Sequence, residues 1–373
     1  RPTAWSSATD KFCAAVGEEP AIRRVLFQSA GNWECKQADR YPDINREWSV
    51  HDPGQAWNAI TVGAITHKDS IRTPGHEHFP TIARRGALSP MSSTSCGWNP
   101  IWPIKPDIVF EGGNQYHSNN QLWKHADLEL LTTNAKFRER LLATADGTSS
   151  ASVLAARIGA AIQRQYPTAW PETIRALVVH SAEWTDGMKH GRSLSSKSAV
   201  ADLLRHYGHG EPDVSCALRT ARSAVSLVIQ DEFRPFKKDG TIKTNEMRFH
   251  ELPWPKDALE AIGTATVSMR VTLSYFIEPN PGPRLTNDNY RYGSCHLRFE
   301  VTRPLEKPED FRARINAADR EPAYKSPGGG DSNRWEIGSD FRHRGSLHQD
   351  TWVGPAAELA SKPCLAIYPV NGW

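Results

Sequence analysis

Asp146-Gly147-Thr148-Ser149-Ser150-Ala151-Ser152 runs directly into Val153-Leu154-Ala155-Ala156-Arg157-Ile158-Gly159-Ala160-Ala161-Ile162, and this stretch decides the reading of the chain. Leu154, Ile158, Ala161 and Ile162 recur at helical spacing with small residues between them, the pattern of an amphipathic helix. A helix rich in Ala, Gly and Ser lets its neighbours approach closely, so it is expected at the centre of the fold. Its start carries hydroxyl residues after a Gly-Thr turn. Ser149 therefore falls where backbone N–H groups lack intrahelical acceptors and the helix dipole is positive. A serine so placed can attack a carbonyl while the local N–H groups hold the oxyanion. Serine is also a routine helix cap, and on these residues alone capping is the commoner reason for finding one here.

Three short apolar runs precede this helix. Val25-Leu26-Phe27-Gln28 leads into Ser29-Ala30-Gly31-Asn32, Ala59-Ile60-Thr61-Val62 ends in Gly63-Ala64, and Lys105-Pro106-Asp107-Ile108-Val109-Phe110-Glu111 ends in Gly112-Gly113. In this order, ahead of a Gly-Thr-Ser-x-Ala helix, they resemble the C-terminal half of a subtilisin-like serine protease of the S8 subtilase family. Ser149 matches the family's nucleophile, and Asn32 matches the asparagine whose side-chain amide completes its oxyanion hole. Leu88-Ser89-Pro90-Met91-Ser92 and Tyr207-Gly208-His209-Gly210 are similar to two further family segments. The resemblance covers residues 1 to 225 and implies a parallel α/β sheet. The joint pattern is far more specific than any one of its motifs.

The family's chain order is Asp, His, Ser, and its Asp and His motifs both come before the Ser-Ala-Gly-Asn strand. About two dozen residues stand ahead of that strand here, and they hold neither motif. The resemblance thus implies that the Asp and His come from an upstream fragment or a partner chain. That polypeptide would also complete the sheet, whose first strand would otherwise be an open edge rich in Val, Leu and Phe. Two departures from the family pattern are expected to alter the cleft: Val153, where the family commonly has Pro, and Phe110-Glu111, where it commonly has Ala-Pro.

Composition narrows the alternatives. Lys and Arg number 45 against 42 Asp and Glu, a net charge of +3 with both signs scattered. No dense basic stripe marks a nucleic-acid face, and no apolar run reaches the length of a membrane span. Six cysteines lie far apart without a Cys-x-x-Cys pair, which points to reduced, buried thiols and a cytoplasmic rather than secreted protein. The chain begins with Arg1 rather than Met, so the lack of a signal peptide says little about export.

Along the chain, residues 1 to 17 read as an amphipathic helix with Trp5, Phe12, Ala15 and Val16 on its inner face and Gly17 ending it. Trp33, Tyr41 and Trp48 lie where subtilases border the cleft and either shape specificity or anchor a loop. His67, His76 and His78 lack a cysteine or carboxylate at ligand spacing, and Gly208 breaks the helix between His206 and His209. Neither set reads as a metal site, and no cofactor is expected. His117, in the connector before the nucleophile, is the one in-chain histidine considered as a substitute base; it more commonly would be a solvent-exposed loop residue. Leu128 to Thr133 reads as a strand, Asn134 to Leu142 as a turn or two of helix, and Trp170 to Ala182 as a helix lined by Ile174, Leu177, Val178 and Ser181.

After residue 225 the pattern turns to period two. Ala265 to Tyr275 and Cys295 to Val301 alternate apolar and polar residues, with further strand candidates at Trp335 to Ile337, His348 to Val353 and Leu365 to Tyr368. A helix is expected over Lys307 to Ala317 and a flexible loop over Ser326 to Gly330. Such strands joined by turns predict an antiparallel β-sandwich or jelly roll, resembling the β-rich domain that follows the protease in some bacterial subtilases. The expected organisation is a catalytic half over 1–225 and a β-rich domain over 226–373. The expected function is peptide-bond hydrolysis by Ser149, with a protein or peptide as substrate. A pseudoprotease serving as a binding or regulatory module is the alternative. A lipase is the weaker reading, because no Gly-x-Ser-x-Gly elbow is present.

Overall fold

The computed structural model describes residues 2–34, 36–99, 102–220, 225–280, 292–318 and 331–372. Cys35 and the expected Ser326–Gly330 loop lie outside them. A four-stranded sheet is the frame of the first part: β1 (Phe27–Ser29), β2 (Ile60–Thr66), β3 (Ala87–Leu88) and β4 (Ile108–Glu111). β1 and β4 flank β2 in parallel, with Phe27 opposite Ile60 and Val62 opposite Ile108, while β3 pairs antiparallel with the end of β2. Every residue of β2 is buried, as a central parallel strand covered on both faces requires.

Ile60, Val62, Ala64 and Ile108 pack under α3 (Gly147–Gln165) and α4 (Pro171–His180), meeting Ala151, Ala155, Ile158 and Leu177. The small residues of α3 have a direct use here: a Cβ on Gly159 would lie 2.7 Å from the Phe27 ring of β1. On the opposite face Ile65, Leu88 and Val109 meet Met188 of α5 (Asp186–Lys189) and Leu203 and Tyr207 of α6 (Lys197–Tyr207). The two outer edges differ. Beside β4, the Gly210 carbonyl accepts from Val109 N–H and the Asp107 carbonyl accepts from His209 N–H. β1 has β2 as its one β-neighbour among the described residues, and Val25 to Ser29 are half-buried throughout.

The first helix, α1 (Ala4–Ala14), forms as expected but faces the other way. Trp5 and Phe12 are 63% and 47% exposed, whereas Ser6, Thr9, Asp10 and Cys13 are buried. The inner surface it meets is a loop with free backbone donors rather than an apolar sheet. Asp10 accepts from the N–H groups of Trp57 and Asn58, and Ser6 Oγ donates to Asp52. Of the expected inner face, Ala15 alone is buried. The five described cysteines are free, as expected, but only Cys13 is buried; Cys96, Cys216, Cys295 and Cys364 are half-buried.

Between β4 and α3 the chain makes two hairpins, β5 (Tyr116–Ser118) with β6 (Gln121–Trp123) and β7 (Leu130–Thr133) with β8 (Leu142–Ala145). The helix expected over 134–142 is absent. Asn134 instead accepts the Lys136 N–H on its side chain and donates its own N–H to Leu141, closing a turn that returns the chain as β8. A short α2 (Ile44–Glu47) and β9 (Ala182–Glu183) paired with β10 (Glu211–Pro212) complete this part, followed by α7 (Val214–Thr220).

The remainder holds a ribbon, β11 (Phe236–Asp239) with β12 (Thr241–Thr244), and two antiparallel sheets. In one, β17 (Cys364–Asn371) lies between β13 (Arg248–Glu251) and β15 (Cys295–Val301). In the other, β14 (Thr266–Ser274) pairs with β16 (Leu347–Pro355) over nine residues. Met269, Phe299, Trp352 and Leu365, from both sheets, share one buried apolar cluster. The helices here are α8 (Lys256–Ile262), α9 (Pro308–Ala318), α10 (Ser339–Arg342) and α11 (Ala356–Ala360). Trp335 to Ile337, expected as a strand, makes one bridge from Trp335 to Trp352 and then turns, because Asp350 takes the N–H groups of Ile337 and Gly338.

The two parts are stitched together by buried polar groups. Arg175 of α4, fully buried, donates to the carbonyls of Tyr275 and Trp57 and to Ser346 Oγ. Asn58 bonds both the N–H and the carbonyl of Ile277. Tyr292 donates its hydroxyl to Asp10. α4 also lies against β14, so the helix behind the parallel sheet is a wall of the second part as well.

Candidate active site

The chain enters α3 from β8 through Asp146, extended at φ −136°, and Gly147, at φ +82°. The left-handed conformation alone favours glycine. Space demands it too, since a Cβ on Gly147 would lie 2.7 to 3.0 Å from the side-chain atoms of Asn32. Gly147 N–H donates to the Gly112 carbonyl at the end of β4. The turn before Ser149 is therefore fixed on the sheet at one side and on Asn32 at the other.

Asn32 is fixed in turn. Its side chain accepts from Thr148 N–H at 2.7 Å and from the Thr148 hydroxyl at 2.9 Å. Because the backbone N–H can only donate, the atom facing it is the carbonyl oxygen Oδ1. The amide Nδ2 consequently points away from this staple and has no hydrogen-bond acceptor among the described residues. Thr148 is buried and its Oγ1 also accepts the Gly31 N–H at 3.1 Å. Gly31, Asn32 and Thr148 thus form a closed network around the start of α3.

Ser149 is the third residue of α3, in the first turn, and is exposed. Its hydroxyl makes no hydrogen bond among the described residues. The structure therefore brings Asn32 and Ser149 to one turn, with an unpaired amide, a first-turn backbone N–H and an unpaired hydroxyl. Such a turn can offer two donors to an oxyanion and a nucleophile to a carbonyl. His117 does not join them: it is half-buried on β5, and its backbone N–H donates to the Pro80 carbonyl.

The surroundings explain the two departures in sequence. Glu111, in place of proline, accepts from His67 N–H and Gly113 N–H through its two oxygens, tying the ends of β2 and β4. Val153 is 69% exposed on an unbroken α3. Of the loop aromatics, Trp33 stacks on Trp48 at 5.5 Å beside Asn32, whereas Tyr41 donates its hydroxyl to the Leu88 carbonyl as an anchor. Lys124 pairs with Asp146 at 2.6 Å, one residue ahead of the turn.

Outside the turn, Cys96, Asp202 and His206 form a cluster of metal-ligand types that sequence reading missed, since they come from a loop and from α6. Asp202 already pairs with Arg46 and Arg192, and His206 Nδ1 donates to the Asp202 carbonyl. The one carboxylate of the cluster is thus already neutralised by two arginines. Burial lowers the His206 pKa to about 4 and that of His209 to about 3. The pair His76 and His125, 3.2 Å apart, is satisfied internally: His125 Nδ1 accepts the Asp127 N–H, leaving its Nε2 to donate to His76.

The subtilase family model matches residues 1–210, more than half of the chain and the whole parallel sheet with α3. The chain belongs to the subtilase family. It is 25% identical over 380 residues to an uncharacterised protein, y4bN, of Sinorhizobium fredii, covering 96% of this chain and 83% of that one. Among solved structures it is similar to a protease of Pseudoalteromonas arctica (16% identity, TM-score 0.34, covering 59% of this chain and 48% of that one). It is also similar to the epidermin leader peptide processing serine protease of Staphylococcus aureus (21% identity, TM-score 0.30, 53% and 40%). A third is MycP1 of Mycobacterium smegmatis (16% identity, TM-score 0.29, 61% and 49%). This subtilase spans less than half the length of each of these solved structures. No helix among the described residues is long and apolar enough to cross a membrane.

Proposed function

We propose that this subtilase chain carries the nucleophile and oxyanion hole of a serine endopeptidase whose Asp and His reside on polypeptide outside these 373 residues. The observation that carries the proposal is the Asn32–Thr148 staple. It holds the asparagine by its oxygen and leaves its amide free next to an exposed, unpaired Ser149 hydroxyl. Ser149 would attack the scissile carbonyl, with the oxyanion held by its own N–H and Asn32 Nδ2. The need for further polypeptide is supported by two features. No described histidine or carboxylate bonds Ser149. A half-buried β1 also lies in a chain that exposes Trp5, Phe12 and Ile22 just ahead of it. Residues 226–373 are read as a separate β-sandwich domain, on the strength of two antiparallel sheets with one shared apolar cluster.

The test is labelling by a fluorophosphonate, which reacts with an activated serine. This chain alone should stay unlabelled, because removing the base of such a triad costs about as much as removing all three members, on the order of a millionfold. Supplying the segment with the Asp and His should restore labelling, and Ser149→Ala should abolish it. Labelling of the isolated chain would refute the missing base. No labelling of the complete protein would refute the peptidase and leave a pseudoprotease.

A further inference from the structure

A cavity of about 860 Å3 lies between α4 and the sheets of the second part, away from the Ser149 turn. That volume is at the upper end of small-molecule sites, which run from about 300 to 1,000 Å3. Its walls are Ala176 and Leu177 of α4, Val271 and Leu273 of β14, and Leu365 and Ile367 of β17; the segment 225–233 also lines it. Within that segment Val225, Leu227, Val228 and Ile229 remain 40% to 64% exposed, so it leaves much of its apolar surface uncovered.

The polar atoms on the cavity wall divide into two groups. Most are already satisfied. His180 Nδ1 bonds Thr272 Oγ1 at 2.9 Å, Arg270 donates to the carbonyls of His180 and Ala182, and Arg248 pairs with Asp231 and Glu246. Two are not. Glu172 is nine-tenths buried, its Oε1 is held by Arg23 at 2.8 Å, and its Oε2 is buried without a partner among the described residues. Ser274 Oγ is likewise buried and unpartnered. A buried acceptor left unpaired is costly, and a donor brought in by a ligand would recover that cost.

We infer that this cavity binds an uncharged amphipathic small molecule, an apolar ring or chain body bearing one hydroxyl or N–H donor directed to Glu172 or Ser274. The apolar walls supply the driving force for the body. The arginines on the wall, Arg23, Arg248 and Arg270, are each paired with a carboxylate, so no free guanidinium is left to select an anion. The unpaired oxygens fix the polar end. This site is independent of the serine chemistry.

The probe is N-phenyl-1-naphthylamine, uncharged, with two aromatic units and one N–H donor, titrated into the full chain by fluorescence. One saturable site per chain is expected. Ala176→Phe, which fills the cavity, should weaken binding by about tenfold or more. Ser274→Ala should weaken it by about fivefold, the loss of one neutral hydrogen bond. Hydrogen exchange of the unaltered protein provides a readout that needs no variant: the probe should protect 171–180, 225–233 and 266–274. The inference is overturned by absence of saturable binding, by unchanged affinity in a folded Ala176→Phe protein, or by protection confined to the exposed face of α1. Tighter binding of the anionic 1-anilinonaphthalene-8-sulfonate than of the uncharged probe would overturn the assignment of ligand charge.

Discussion

Asn32 has two tasks that substitution can separate. Through Oδ1 it accepts two hydrogen bonds from Thr148, and through Nδ2 it is assigned to the oxyanion. Asn32→Ala removes both. The buried Thr148 N–H then loses its acceptor, at a cost of about 1–3 kcal/mol, and the Thr148 hydroxyl loses one partner worth about 1 kcal/mol. Because Asn32 itself is exposed, water reaches part of the vacated space, and the net loss of stability should be about 2 kcal/mol. The loss of the amide donor should cost a further hundredfold to thousandfold in rate, about 3–4 kcal/mol; this range was measured in subtilisin itself and is carried over to its relative here. Thr148→Val is the control. It removes the Oγ1 bonds to Gly31 and Asn32 and destabilises the turn by a similar amount, yet it keeps Nδ2. Urea unfolding of each variant and the rate of fluorophosphonate capture by the complete protein measure the two effects. Capture should fall less than about tenfold in Thr148→Val and at least about a hundredfold in Asn32→Ala. Equal rate losses with equal destabilisation would mean that Asn32 is a staple alone.

Burial pushes the Asp10 carboxyl up to about 6, outweighing the three donors around it, Tyr292, Asn58 and Trp57. The folded state therefore holds this proton more tightly than the unfolded chain, whose value is near 3.8. The contribution is full below pH 4 and is lost as pH rises through 6, by about 3 kcal/mol; urea midpoints of Asp10→Asn against the parent over pH 4 to 7 should lack that part of the slope. Arg175→Met should lower the unfolding free energy by about 3 kcal/mol, since it strips donors from the Tyr275 and Trp57 carbonyls and from Ser346 at once. A loss under about 1 kcal/mol would show that these bonds do not tie the two parts together. Brief proteolysis should cut first within 225–235, where Val225 to Ile229 are exposed; first cuts inside 266–274 or 347–355 would refute the domain division.

The sequence by itself determined the local chemistry of the turn. Gly147, Thr148 and Ser149 at the head of a small-residue helix, and Asn32 at the end of an apolar run, are signals written in adjacent residues. Period-two alternation likewise marked β14 and β15 as strands. Tertiary structure decided what faced what. α1 buries Asp10 and Cys13 rather than Trp5 and Phe12, because its neighbour is a loop with N–H donors to satisfy, and helical periodicity carries no record of that loop. Leu142 read as the end of a helix on local pattern and became the first residue of β8, because Asn134 closed a turn and β7 offered a ladder. The direction of the Asn32 amide, the arginines on Asp202 and the cavity behind α4 join residues tens to hundreds of positions apart. Only packing brings such groups within hydrogen-bond range, so no reading of neighbouring residues contains them.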